Sequence, residues 1–379
     1  MEESPATGAA ARRLLLIANC LILTVGCCGG PLIKRLYFVG GGRRIWFSSW
    51  LESGGFPAIL IPLIVNYTRR RYSSGGAAKL VLMKPRVFLA ATAVGILTGV
   101  DDYLYAYGVA KLPVSTSSLI LATQMAFTAA FAFLIVKQKL TAYSMNSVVV
   151  LMVGAVVLGI HSGGDRPAGE SKTEYFIGFL MTVAAAVLYG FILPVVELMY
   201  RKAKQSVTYT LVMEIQLVMC FFATLFCTFG MIVNGDFQAI GKEAKEFEMG
   251  ETKYYLVAVG NCLLWQCFFL GVNGVIFYSS SLLSGIIMSA LLPATEILAV
   301  VFFHERFQPE KGISLFLSLW GFISYFYGEF RSEAKKKQHL IKTCTNCKNI
   351  DDDDDDINVN HQTEEIVLSD LPMTDHEAP

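Results

Sequence analysis

Apolar runs of about twenty residues recur along most of this chain, and each is long enough to cross a hydrocarbon layer of roughly 30 Å at 1.5 Å per residue. Lipid offers no hydrogen-bond partner to a backbone N–H or C=O, so such runs must satisfy themselves internally and are read as helices. Ten spans are expected, at about 14–35, 46–66, 87–109, 115–136, 143–160, 175–198, 208–233, 254–278, 280–303 and 311–330. Composition agrees: 54% of the residues are hydrophobic and 16% charged, against about 25% charged in a soluble domain. The fold class is therefore an all-α membrane protein. Its parts are a short segment 1–13, a membrane domain 14–330 and a polar tail 331–379.

Charge and cysteine exclude several classes. The formal net charge is zero, so no global field points to nucleic acid. Cys20, Cys27, Cys28, Cys220, Cys227, Cys262 and Cys267 lie inside apolar runs, where a free thiol acts as a small hydrophobe and not as part of a disulfide framework. Cys344 and Cys347 form one C-x-x-C in the tail, near only His339 and His361, where a zinc site would need two more ligands. Arg12 and Arg13 ahead of Leu14 look like the start of a signal peptide, but the apolar stretch runs on to about Ile33 and more spans follow. A first membrane helix is the better reading. The tail, with Lys335–Lys337 and aspartates at 351–356, has too little apolar surface to fold and is expected to be disordered. Basic residues fall more often on the side that holds both ends, so both termini are expected in the cytosol.

A weak internal repeat is present. Residues 137–157 align with 304–324 at a constant offset, Gly154 meets Gly321, and Ser117-Ser118-Leu119 answers Ser280-Ser281-Leu282. Five spans per half would give the halves opposite topology, a common transporter plan with a central site. Chance similarity would look the same. Pro57, Pro62, Pro194, Pro293 and the Gly54-Gly55 pair interrupt spans.

Charges in a bilayer interior cost a few kcal/mol and need a reason. No Lys or Arg lies near the middle of an expected span, with Lys34 and Arg35 assigned to the first loop. A carrier of phosphates or nucleotide sugars would place cations in its cavity, so a neutral or cationic solute is expected. The acidic residues are Asp101 and Asp102 in the third span, Glu214 in the seventh, Glu296 in the ninth and Glu52 near one end of the second. A carboxylate kept from water can carry a proton at working pH, which suits proton coupling by Asp101 or Asp102. A carboxylate that caps or pairs within the bundle would give the same pattern.

Amides and aromatics form the other constellation: Tyr105, Gln124, Glu214, Gln216, Trp265, Gln266 and Asn273. A flat heterocycle offers π faces and edge donors and acceptors, which aromatic platforms and amides match. Helix-to-helix hydrogen bonding is the alternative use of such amides.

Five segments resemble the plant purine permeases of the drug/metabolite transporter superfamily: WLESGGFPAILIPL at 50–63, TGVDDYLYAYGVAKLPVSTSSLILATQMAF at 98–127, MEIQLVMCFFATLFCTFGMIVNGDF at 213–237, LLWQCFFLGVNGVIFYSSSLLSGII at 263–287 and LLPATEILAVVFFHERFQPEKGISLFLSLWGFISYFYGE at 291–329. The resemblance covers about 14–330. It implies ten helices in two inverted five-helix halves around a central cavity. It also implies proton-coupled import of adenine-like purines, cytokinins or related heterocycles, typically at the plasma membrane. In SWLESGGFP, Glu52 and Phe56 stand where the family pattern has a neutral polar residue and an indole, which implies a different substrate range if that region lines the cavity.

In the expected mechanism Asp101 or Asp102 carries the proton. Gln124, Gln216, Gln266 and Asn273 bond the ring edge, Trp265 and Tyr105 offer aromatic faces, and Glu214 meets an exocyclic amine or shares the proton. An efflux or exchange carrier of the same fold, or a membrane receptor for a purine hormone, remains open at this point. No cofactor and no metal is called for, nothing specifies an oligomer, and no nucleophile–base pair, HExxH or Gly-rich phosphate loop points to an enzyme.

Overall fold

A computed structural model describes residues 5–73, 79–112, 114–160, 172–303, 312–313, 315–317, 319–328 and 330–332. Among the described residues the regular structure is helical: α1 (Pro5–Val39), α2 (Ile45–Ser53), α3 (Pro57–Ser73), α4 (Pro85–Lys111), α5 (Val114–Ile135), α6 (Ala142–Ile160), α7 (Lys172–Arg201), α8 (Tyr209–Asn234), α9 (Asp236–Glu246), α10 (Glu251–Tyr278) and α11 (Ser281–Phe303). Further helical residues fall between 312 and 332. Seven described helices are long and apolar enough to cross a membrane, and shorter apolar helices cover Thr123–Ile135 and Ala142–Gly154. The side chain of Glu296, residues 304–306, the tail with Cys344 and Cys347, and the side chains of 117–119 lie outside the described residues.

Three features depart from the expected spans. First, α1 does not stop near residue 35 but continues to Val39, so Lys34 and Arg35 are helical and not part of a loop. Second, the span expected at 46–66 is broken into α2 and α3. Pro57 lacks an N–H and disfavours helix at the residue before it, and Gly54-Gly55 offers no resistance to a turn. Gly54 still donates to the Trp50 carbonyl at 2.7 Å, and Phe56 donates to Ser53 at 3.2 Å. A Cβ on Gly55 would collide with the Cys262 carbonyl and the Gln266 side chain; the glycine lets the break lie directly on α10. Third, the connection expected at 234–253 contains α9. Its buried Asp236, Glu243 and Ala244 turn one face of a short amphipathic helix onto the bundle.

The chain divides at Ser324 and Tyr325 into two compact units. In the first, α1 packs mainly on α10 and α11, α4 on α8 and α7, and α5 on α7, α6 and α11, while α2 sits among α4, α8 and α10. In the second, the described residues 325–328 and 330–332 are helical, with the Tyr325 and Phe326 rings edge to face at 5.7 Å.

Two polar clasps join helix ends. In one, the Glu197 carboxylate of α7 accepts from the Ser281 N–H at 2.7 Å and its hydroxyl at 2.5 Å, placing an anion at the N-terminus of α11, where the helix dipole favours it. Its other oxygen lies 2.6 Å from Arg201, which donates at 3.1 Å to the Val136 carbonyl just past the end of α5. In the other, Glu243 of α9 accepts from Tyr37 at 2.5 Å, Tyr254 at 3.1 Å and the Arg43 N–H at 3.1 Å. Around it pack Phe47, Leu51, Met231 and Phe247.

Glu197→Ala would strand the buried Ser281 N–H and release Arg201. It is expected to cost about 2 kcal/mol, the scale of losing hydrogen bonds to a charged group, and to lower the Tm of the detergent-purified protein. Glu246→Ala breaks only the exposed pair with Lys242 and should change stability by less than about 0.5 kcal/mol.

Candidate functional site

Helices α1, α2, α4, α5, α7, α10 and α11 enclose a central cavity of about 190 Å³. A dry cavity of about 150 Å³ on the same scale accommodates a benzene ring, so the space suits one small flat solute. Three carboxylates face it: Glu52 from α2 and Asp101 and Asp102 from α4. An aromatic wall stands beside them, made of Tyr105, Tyr189, Trp265, Phe268 and Phe269. Tyr105 meets Trp265 edge to face at 5.9 Å, Trp265 meets Phe268 at 5.1 Å, and Tyr189 stacks on Phe268 at 6.0 Å. Gln124 of α5, Arg35 of α1, and Ser289 and Thr295 of α11 add polar edges.

Several polar atoms here are buried with no hydrogen-bond partner among the described residues: Asp101 Oδ1, Asp102 Oδ2 and the indole Nε1 of Trp265. Buried polar groups are normally satisfied. Asp101, Asp102 and Trp265 thus line the cavity while each keeps one polar atom that no described residue satisfies, the indole Nε1 lying against Gly30 of α1.

The expectation of a cavity without cations fails: Arg35 lines it, and beside it lies Lys34, near the end of α1. The Lys34 side chain is 0% exposed and ion-paired with Glu52. Its ammonium stands 4.3 Å from the Tyr105 ring centroid and 5.8 Å from that of Trp265, within range of cation–π attraction. The misreading has a physical cause: the end of the first span was placed at its first charges, yet a helix continues through a charge that a partner neutralises from across the bundle. The inference from missing cations to solute charge therefore falls away. What remains is the balance at the site, where Glu52, Asp101 and Asp102 face Lys34 and Arg35.

The structure brings Asp101, Asp102, Tyr105, Gln124 and Trp265 together at the cavity and leaves four other expected residues outside it. Asn273 donates to Gln216 at 3.4 Å, Gln216 to Gln266 at 3.4 Å, and Gln266 to the Ser53 carbonyl at 3.1 Å. This buried amide chain ties α10 to α8 and to the break after α2. Glu214 accepts from the backbone N–H groups of Leu82, at 2.9 Å, and Met83, at 3.1 Å, fastening the segment before α4. Sequence reasoning missed Lys34, Arg35 and Tyr189. For Lys34 a signal existed: a carboxylate at 52 inside a span calls for a countercharge. Among the described residues no group of His, Cys, Asp and Glu is arranged to hold a metal ion.

Comparison with known proteins fits this architecture. Residues 14–336 match the profile of the family PUNUT, described as purine nucleobase transmembrane transport. The chain is 57% identical over 328 residues to Purine permease 3 of Arabidopsis thaliana, covering 86% of this chain and 93% of that one. It is 51% identical over 339 residues to Purine permease 2 of the same plant, covering 86% and 95%, and 38% identical over 304 residues to Probable purine permease 4, covering 79% and 78%. A solved crystal structure of 15% sequence identity superposes with a TM-score of 0.56 over 82% of this chain and 98% of the other, a likeness of fold alone. The chain accordingly belongs to the plant purine permeases, a family of multi-pass membrane transporters for purine nucleobases, and is not an enzyme.

Proposed function

We propose that this protein moves purine nucleobases and related flat heterocycles, adenine and cytokinins among them, across the plasma membrane together with protons. The observation that carries this reading is the cavity lined by Asp101 and Asp102 beside an aromatic wall, where both carboxylates and the Trp265 indole keep a polar atom unpartnered among the described residues. A purine presents ring nitrogens that accept from an N–H and amine or ring N–H groups that donate to a carboxylate. Trp265 Nε1 and Gln124 bond the ring edge, and Tyr105 and Trp265 flank its face. Asp101 or Asp102 takes a proton from one side and releases it to the other. Glu214, Gln216, Gln266 and Asn273 act in this reading through the helices they join and not through the solute. The names of the two relatives above 50% identity support the substrate class.

The transporter plan we infer is ten helices in two inverted halves, with both termini cytosolic. The contact pattern supports it. If α1, α2 with α3, α4, α5 and α6 correspond in order to α7, α8, α10, α11 and the last helical segment, the packing of α1 on α10 becomes that of α7 on α4 under exchange of halves. In the same way α5 on α7 becomes α11 on α1, and α4 on α8 becomes α10 on α2. Each exchanged pair is present, as a central pseudo-two-fold axis requires.

The first test is uptake of radiolabelled adenine by cells expressing the protein, at acidic and at neutral external pH, with and without a protonophore. Acid-stimulated, protonophore-sensitive uptake is expected. Uptake indifferent to both would overturn the proton-coupled reading and leave an exchange carrier.

Asp101→Asn and Asp102→Asn, made singly, are expected to reduce acid-stimulated uptake, at least one of them by about tenfold or more, equivalent to ~1.4 kcal/mol. Both variants keeping wild-type pH dependence would remove the aspartates from the proton role. Trp265→Phe keeps a ring but loses the N–H and should raise the KM for adenine about fivefold, the worth of one hydrogen bond near 1 kcal/mol, with the maximal rate less affected.

A further inference from the structure

The buried pair of Lys34 and Glu52 has no part in the reading above, yet it is joined to the two aspartates. Glu52 lies on the last turn of α2 beside the helix break, and Lys34 reaches it from α1. The Lys34 ammonium also rests over the ring of Tyr105 at 4.3 Å. Tyr105 follows Asp101 by four residues, so the two project from one face of α4 a single turn apart. Glu52 and Lys34 are close enough to act on both Asp101 and Asp102, and the two aspartates act on each other.

The remaining titratable neighbours come from three helices. Arg35 and Cys27 of α1 line the cavity. Tyr189 of α7 lies within the field of both aspartates. From α8, Cys227 lies within that of Asp102, Glu52 and Lys34, and Cys220 within that of Asp102. Lys34 is thus a cation close to all three cavity carboxylates and paired directly with Glu52.

A buried charge without a partner is costly. One ammonium on a flexible four-carbon stem can satisfy one carboxylate closely or two by compromise. Its position therefore depends on which carboxylates carry protons. We propose that Lys34 is the coupling switch of the carrier: it pairs with Glu52 while the aspartates are protonated, and is drawn along Tyr105 toward Asp101 when that proton leaves. The transported proton is taken up by an aspartate from one side and given to water on the other, so charge balances without a further reactant. In the deprotonated cavity the ammonium covers the Tyr105 and Trp265 rings and the free carboxylate, and it holds the site against a solute arriving without a proton. This inference rests on the proton-coupled reading given above.

The test uses full-length protein in proteoliposomes with radiolabelled adenine. Two quantities are measured: accumulation driven by an imposed acid-outside gradient, and adenine–adenine exchange without a gradient at acidic and at neutral pH. Lys34→Met is expected to lower gradient-driven accumulation about tenfold or more, the scale of a lost coupling between sites, while exchange falls far less. Glu52→Gln leaves Lys34 only the aspartates as partners and should make exchange indifferent to pH where the wild type is acid-stimulated. The double variant Lys34→Met with Glu52→Gln should reconstitute in greater amount than Lys34→Met yet stay uncoupled.

Lys34→Met that still accumulates adenine like the wild type overturns the proposal. So does a proportional fall of accumulation and exchange in that variant with acid-stimulated exchange preserved in Glu52→Gln, since an ion pair of purely structural value behaves that way. A wild type that exchanges adenine but never accumulates it on a pH gradient sinks the proton-coupled reading itself, and this inference with it. A coupled wild type beside a coupled Lys34→Met sinks the inference alone.

Discussion

A helix broken inside lipid leaves carbonyls that water cannot reach, and the rest of the site depends on how this chain repairs one such break. After Ser53 the second span turns through Gly54-Gly55-Phe56 and resumes at Pro57. The Ser53 carbonyl is met by the Phe56 N–H at 3.2 Å and by Gln266 Nε2 at 3.1 Å. Gln266 is held in turn by Gln216, and Gln216 by Asn273. Without a donor from α10 the break would expose backbone at a cost of several kcal/mol. With it, α2 ends at a fixed depth and Glu52 faces the interior of the bundle. That position demands Lys34, which extends α1 past its apolar run. Repair, carboxylate and cation form one chain of cause from the Gly-Gly-x-Pro sequence to the cavity wall.

The parts legible in the sequence were those governed by hydrophobic length. The expected spans at 87–109, 143–160, 175–198 and 254–278 lie within α4, α6, α7 and α10, because a run of apolar residues has one stable form in lipid. The parts that escaped were governed by pairing. The end of α1, the partner of Glu52 and the burial of Glu243 each depend on a residue distant in sequence: Lys34 and Glu52 are 18 positions apart, and Tyr37 and Glu243 are 206 apart. Periodicity carries no information about such partners. Amides were the hardest to assign. Gln124 and Gln266 look alike in sequence, both amides within apolar helices. The difference is that Gln266 faces a helix break which uses its hydrogen bonds, whereas Gln124 faces open space.

Glu214 shows the same limit from another direction. It was grouped with the cavity residues because it is acidic and lies in a span. In the structure it is near the start of α8, where it binds two backbone N–H groups that precede α4. Those N–H groups have no helical partner because they sit ahead of the helix start at Pro85. A carboxylate one or two turns inside a span is close enough to the end of its helix to serve a neighbouring chain segment. Asp101 and Asp102, in the middle of α4, are too deep to reach a helix end, and each keeps an unpartnered oxygen among the described residues. Depth along the helix separates Glu214 from these two.

The two clasps extend this logic to motion. Each joins helix ends through a carboxylate that is nearly dry and a cation that is not. Glu197 has a side-chain exposure of 4% against 48% for Arg201, and Glu243 of 9% against 39% for Arg44, whose Nε lies 3.8 Å away. A fully buried ion pair would resist opening, because separating it strands both charges. A pair whose cation already touches water loses less on opening, since the cation is rehydrated at once and only the carboxylate must find new donors. Tyr37 and Tyr254 hold Glu243, and Ser281 holds Glu197, so parting these helix ends costs those bonds besides the ion pair. The exposed cation lowers only the ion-pair share of that cost. The Lys34–Glu52 pair, dry on both partners, is built the other way, and separating it would strand both charges.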